Sequence, residues 1–200
     1  FRLAKIKVGR APAVELAALR AIPASALRLR LDFNQALSFD EVRRFLAGLG
    51  PTLARIDFVE DPCAYDPAHW RALKREFGVR LAVDRLPAPT GLESDTADVL
   101  VIKPAFQSPE ACASLARELD WSVVVTSALD HPLGVLGAAW EAARLARTVP
   151  LEACGLLSSV AYEDDAFSRE LETDGPRLLA PRGPGLGLTS ELERLDWKPL

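Results

Sequence analysis

Two hundred residues, 49% hydrophobic and 26% charged with a mean hydropathy of +0.08, carry enough apolar material for one sizeable core. That balance excludes a disordered tail or a collagen-like fibre. A net charge of -4 and an isoelectric point near 5.3 argue against a nucleic-acid partner, because phosphate recognition needs clustered Lys and Arg. Cys63, Cys112 and Cys154 form neither a C-x-x-C pair nor an even disulfide framework, which fits a reducing cytoplasm. No apolar run approaches the roughly 18 residues of a membrane span, and the opening FRLAKIKVGR has no signal-peptide core. A soluble, cytoplasmic protein is expected.

In chain order, short β-rich runs alternate with longer amphipathic stretches. The runs are 2–8 (RLAKIKV), 26–31 (ALRLRL), 56–59 (IDFV), 79–83 (VRLAV), 99–102 (VLVI), 122–125 (SVVV) and, with a weaker pattern, 151–157. Between them, residues 13–20, 40–49, 68–77, 109–119 and 133–146 read as helices. Ser38 and Ser108 stand as N-caps, and Gly50 and Gly78 as stops. The polar residues closing the runs recur about every 19 to 28 residues, a strand–helix period. Such alternation predicts an α/β fold of parallel strands, either an open doubly wound sheet or a closed barrel, and composition does not choose between them. Beyond about residue 160 the pattern stops. The glycines of the 181–187 stretch have no strand before them, so they read as turns rather than a phosphate loop.

The chemistry lies at the strand ends. A two-residue period places Leu3, Lys5 and Lys7 on one face of the first strand and Ala4, Ile6 and Val8 on the other. The chain has only five lysines, and Lys5, Lys7 and Lys103 fall in or at the end of predicted strands. A lysine, unlike an arginine, can give up its proton near neutral pH in a dry or cationic site. Asp32, Glu60 and Asp84 each close a strand run. In a parallel barrel all such ends open on one face, so the carboxylates and lysines would converge. Three oxygen ligands suit Mg²⁺, whose charge turns a net negative cluster into one that accepts an anionic substrate. Any one of these carboxylates alone reads as a helix cap or an arginine partner; five charged groups at one end read as a site. Lys5, one pleat deeper than Lys7, reads as a supporting ion pair, and Arg28 and Arg30 as interior charge partners. His69 and His131 are isolated and read as ordinary. Ser127 lacks the elbow and partners of a hydrolase triad.

AKIKVG (Lys5, Lys7), LRLDFN (Asp32, Asn34), FVEDPC (Glu60), LAVD (Asp84), VIKP (Lys103) and VTSALDHPLG (Thr126, Ser127) follow one another in an ordered set. With them the sequence resembles the enolase superfamily, its muconate-lactonizing subgroup, and within that the o-succinylbenzoate synthases. Arg85 stands where members of the superfamily often carry Glu. The resemblance implies a (β/α) TIM-like barrel at residues 1–160 of about seven strand–helix units. Residues 161–200, with PGLGL at 184–188, would return to a capping domain. That N-terminal capping domain and a first barrel strand are expected to precede the Lys-x-Lys pair and are absent from this sequence. It further implies Mg²⁺ held by Asp32, Glu60 and Asp84, with Lys7 and Lys103 catalytic and Lys5 and Asn34 supporting. Thr126, Ser127 and Gly155 would contact a small-molecule carboxylate substrate. The implied reaction is dehydration of 2-succinyl-6-hydroxy-2,4-cyclohexadiene-1-carboxylate to o-succinylbenzoate in menaquinone biosynthesis. Two other readings stand beside it: a racemase or epimerase of N-acylamino acids or dipeptides, using the two lysines as opposed bases, and a metal-binding barrel without catalysis.

Overall fold

The computed structural model describes residues 1–23, 27–85, 91–128, 131–158 and 163–198. Ala26 of the second predicted run, Leu129 and Asp130 of the serine-containing segment, and the expected boundary at residue 160 lie outside the described residues.

The strands are β1 (Leu3–Lys7), β2 (Arg28–Asp32), β3 (Ile56–Glu60), β4 (Leu81–Val83), β5 (Val99–Ile102) and β6 (Ser122–Val125). The helices between and after them are α1 (Pro12–Ala21), α2 (Phe39–Gly48), α3 (Pro67–Phe77), α4 (Pro109–Leu119) and α5 (Pro132–Leu145). The six strands form one sheet in chain order, and each pair from β1 to β5 is parallel. Ser122 N–H donates to the Asp98 carbonyl and Thr126 N–H to the Ile102 carbonyl, so β6 advances in step with β5 and is parallel too. Unbroken chain order, with no reversal point, is the winding of a β/α barrel and not of a doubly wound sheet. This settles the choice that composition left open.

The seventh expected run is not a full strand. Residues 151–157 make only isolated parallel bridges, Leu151 with Val123 and Gly155 with Thr126. The segment LEACGLL has no β-branched residue and carries a glycine, so it has little to hold a regular ladder. The tail keeps some regular structure: a two-residue hairpin of β7 (Thr173–Asp174) and β8 (Arg177–Leu178) around Gly175, and a short helix α6 (Thr189–Glu193). Gly183, Gly185 and Gly187 all have positive φ, as turns require.

Two compact units divide the chain, one of residues 1–101 with 115–122, the other of residues 102–114 with 123–200. In the first, Leu29, Leu31, Phe58, Val59, Leu81 and Val83 bury the strands, and α2 turns Val42, Phe45 and Leu46 inward at the helical spacing of three and four. Phe33 packs edge-on against Phe45, 5.1 Å between ring centres. The Glu41 carboxylate accepts the Ser38 N–H at 2.8 Å and closes the start of α2. Gly78, in the left-handed region, ends α3. Gly50 instead opens a short 3-10 turn after α2. In the second unit, Val123–Val125 and Val135, Leu136, Ala138, Ala142 and Leu145 of α5 are buried.

A register shift between β2 and β3 passes over Asp57, and its buried carboxylate accepts from Arg30 at 2.8 Å and pairs with Arg28 at 3.0 Å. Arg30 is interior as expected and lies over the Phe58 ring; Arg28 is mostly exposed, correcting its reading as an interior group. The partner of both is Asp57, whose bulge re-aims it toward them. Replacing Asp57 by Ala withdraws a counter-charge from beneath a buried guanidinium, which should cost about 3 kcal/mol. A urea titration should show the midpoint falling with its slope unchanged.

Candidate active site

In the parallel register Lys7 pairs with Asp32, and Asp32 with Glu60, so the three form one row across the carboxyl ends of β1, β2 and β3. Lys5, two residues back on the same face as Lys7, sends its ammonium to both carboxylates, 2.9 Å from Asp32 Oδ2 and 2.6 Å from Glu60 Oε1. Asp32 and Glu60 are almost wholly buried. Two oxygens this close to one nitrogen lie within roughly 6 Å of each other, where like charges repel by about 3 kcal/mol at an effective dielectric of 20. A cation between them offsets that repulsion, and Lys5 supplies it. Burial pushes the Glu60 carboxyl up to about 7; Lys5 opposes this, while Asp32 and Asp84 add to it. Burial would lower the Lys5 ammonium, yet Glu60 and Asp32 outweigh it and raise its pKa.

The loop after β2 holds Asp32 in place. The Asn34 backbone N–H donates to Asp32 Oδ1 at 3.0 Å, and its side-chain amide donates to the same oxygen. Asn34 and Gln35 both lie in the left-handed region, which Asn tolerates better than most residues. The Arg85 guanidinium donates to the Asn34 side-chain oxygen Oδ1 at 3.3 Å. Asp84, just past β4, donates its N–H to Asp61 Oδ1 at 3.1 Å, and Arg85 N–H lies 3.2 Å from Asp61 Oδ2. Burial raises the Asp61 carboxyl to about 6, although the Asp84 N–H favours its charged form.

Sequence reasoning missed Asp61. The signal was a second carboxylate directly after Glu60 and ahead of Pro62, and only the loop packing shows that it ties the end of β3 to that of β4. Glu15 was missed as well: its carboxylate accepts from the N–H groups of Gly9, Arg10 and Ala11, fastening the turn that follows Lys7.

The other expected residues lie in the second unit. Lys103 follows β5, and its N–H donates to Gln107 Oε1. Thr126 bridges to Gly155, and Ser127 N–H donates to the Gly155 carbonyl at 3.1 Å. A Cβ on Gly155 would stand 3.2 Å from Thr126 Cγ2, so a side chain there would crowd the bridge. The Ser127 hydroxyl meets that of Ser158 at 2.7 Å, a partner the sequence reading left out. The Thr126 hydroxyl is buried with no hydrogen-bond partner among the described residues. His69, stacked on Phe39, and His131, beside Asp165 and capping α5, have structural surroundings.

Among the described residues no three Asp, Glu, His or Cys side chains are gathered into a ready-made metal site. The residues nonetheless fit a hard cation. Asp32 and Glu60 offer only oxygen, converge on one positive charge and are buried, and Asp84 is near enough for Glu60 to feel its charge.

A family model described as enolase C-terminal domain-like matches residues 1–194. The chain belongs to that family. It is 34% identical over 205 residues to the o-succinylbenzoate synthase of Bdellovibrio bacteriovorus, covering 100% of this chain and 62% of that protein. To the o-succinylbenzoate synthase of Mycobacterium ulcerans it is 29% identical over 212 residues, covering 98% of this chain and 63% of the other. Muconate lactonizing enzyme from Klebsiella pneumoniae superposes with a TM-score of 0.72 at 21% identity, over 96% of this chain and 58% of that one. The L-Ala-D/L-Glu epimerase from Bacillus subtilis gives 0.72 at 24% identity, over 93% and 55%. The enolase superfamily, its muconate-lactonizing subgroup and the TIM-like α/β fold thus stand as expected. This family member spans less than two thirds of the length of the relatives it matches. No helix among its described residues is long and apolar enough to cross a membrane.

If Asp32 and Glu60 hold a cation in this family member, millimolar Mg²⁺ should raise its melting temperature. Glu60→Gln and Asp32→Asn should each remove that shift in a thermal melt.

Proposed function

We propose that this chain is the barrel part of a Mg²⁺-dependent lyase that removes a proton α to a carboxylate. Its substrate is 2-succinyl-6-hydroxy-2,4-cyclohexadiene-1-carboxylate and its product o-succinylbenzoate. The observation that carries the reading is the row Lys7–Asp32–Glu60 with the Lys5 ammonium between its carboxylates: a base candidate beside a cation-binding pair on adjacent strand ends. The likeness to o-succinylbenzoate synthases along the whole of this chain supports the choice of reaction.

Asp32, Glu60 and Asp84 would hold the metal, which when bound would supply positive charge toward the substrate carboxylate and so make the α-proton easier to remove. Lys7, as the free amine, takes the proton from the carbon α to the carboxylate, and the C–H electron pair moves toward the carboxylate oxygens. Lys103, as the ammonium, offsets the negative charge that develops there. The electron pair then returns as the C–O bond to the ring hydroxyl breaks. Lys7 hands its proton to the departing hydroxide, so the products are water and an aromatic ring. Lys5 and Asn34 keep Asp32 and Glu60 aimed, and Thr126, Ser127 and Gly155 contact the substrate's carboxylate groups. In the same reading residues 1–160 are barrel, residues 161–200 return to a capping domain, and the reaction serves menaquinone biosynthesis in the cytoplasm.

The test uses the intact protein that carries this chain. Lys7→Ala and Lys103→Ala should each lower turnover by a factor on the order of 10² to 10⁴ with an unchanged circular dichroism spectrum, and chelation of Mg²⁺ should stop it. Full activity in either variant removes the assignment. Solvent exchange of the α-proton without appearance of aromatic absorbance would move it to a racemase or epimerase.

A further inference from the structure

We infer that Gln107 is a positioning residue for Lys103, locking both backbone polar groups of that lysine from a single site; the inference rests on the role given to Lys103 above. The sheet explains the need. Ile102, the last residue of β5, still offers its carbonyl to Thr126 N–H at 3.0 Å. Lys103 lies one step beyond, where the strand has ended, and a backbone N–H withdrawn from water there needs an acceptor. Pro104, which follows, has no N–H and confines Lys103 to extended backbone.

Gln107 answers from both of its ends. Its side-chain Oε1 accepts the Lys103 N–H at 2.7 Å. Its own N–H donates to the Lys103 carbonyl at 3.1 Å, and the same carbonyl accepts the Phe106 N–H at 2.9 Å. The five residues 103–107 therefore close on themselves, and the direction in which Lys103 leaves the backbone is held by residue 107. The next residue carries the loop into α4: the Ser108 hydroxyl accepts from Ala111 N–H at 3.3 Å and its carbonyl from Cys112 N–H at 3.1 Å. Ser108 does the capping, so the Gln107 side chain is not needed to begin the helix; its bond serves Lys103. Both Gln107 and Lys103 are half-buried, so water substitutes poorly for that bond.

Orientation of a charged group toward a developing anion acts in the transition state more than in substrate binding. Freeing the Lys103 backbone should therefore appear in kcat. Gln107→Leu keeps the bulk and removes the acceptor; Gln107→Glu keeps an accepting oxygen. In the intact protein Gln107→Leu should lower kcat by about tenfold to a hundredfold, the scale of a displacement near 1 Å, with KM within about twofold. Hydrogen exchange at the Lys103 amide should quicken by about tenfold or more, as for a freed amide. Gln107→Glu should recover most of both losses at a similar melting temperature. Equal kcat losses in the two variants, a loss confined to KM, or unaltered exchange at Lys103 would overturn the inference. Wild-type protein that leaves the cyclohexadiene unchanged would instead overturn the functional reading, and the exchange comparison, which needs no turnover, still decides whether Gln107 holds Lys103.

Discussion

Two buried carboxylates drawn to one positive charge are the constraint on which the first unit is arranged. Asp32 and Glu60 stand side by side because parallel register puts them there, and neither has enough water nearby to spread its charge. Lys5 resolves this from one pleat back on the neighbouring strand. Most of the surrounding detail serves the same end. Asn34 bonds Asp32 from a left-handed turn, Arg85 braces Asn34, and Asp61 draws the start of the next loop, with Asp84 in it, against the end of β3. A cluster in which carboxylates outnumber the nearby ammonium is one that receives a further cation well.

A second regularity concerns backbone. At the carboxyl end of a parallel strand the ladder stops, and the next N–H groups need acceptors from elsewhere. Side chains supply them here, from a few residues downstream after β1 and β5 and from the end of the neighbouring strand after β4. Glu15 takes three N–H groups after β1, Asp61 takes two after β4, and Gln107 takes one after β5. These three loops, each beginning next to a candidate functional residue, are thus fastened by a side chain with no direct part in the proposed chemistry. Sites on the ends of rigid strands need this if their groups are to be held to fractions of an ångström.

Much of this was legible in the residues. Runs such as VLVI and SVVV, bounded by polar ends, became strands with the same limits, because a strand buried on both faces must be apolar throughout. The strand-end positions of Lys7, Asp32, Glu60, Asp84 and Lys103 could be read as well, since one charged residue closing an apolar run is a local signal. Lys5 as a supporting ion pair followed from its place in the two-residue period. What escaped was the help given across loops. Nothing local says that the Asp61 carboxylate will meet the amides of residues 84 and 85, or that Asp57 will be re-aimed by a bulge toward Arg28 and Arg30.

The sequence by itself therefore determined the alternation of strand and helix, the charged residues that close the strands, and the family to which the ordered motifs point. Each of these is carried by neighbours a few positions apart, within reach of periodicity and propensity. The tertiary structure alone decided that the strands lie in unbroken chain order, that residues 151–157 make bridges rather than a full strand, and that Lys5 lies between Asp32 and Glu60. Those outcomes depend on register and on contacts between residues far apart in the chain, where a shift of one residue would turn every side chain to the opposite face.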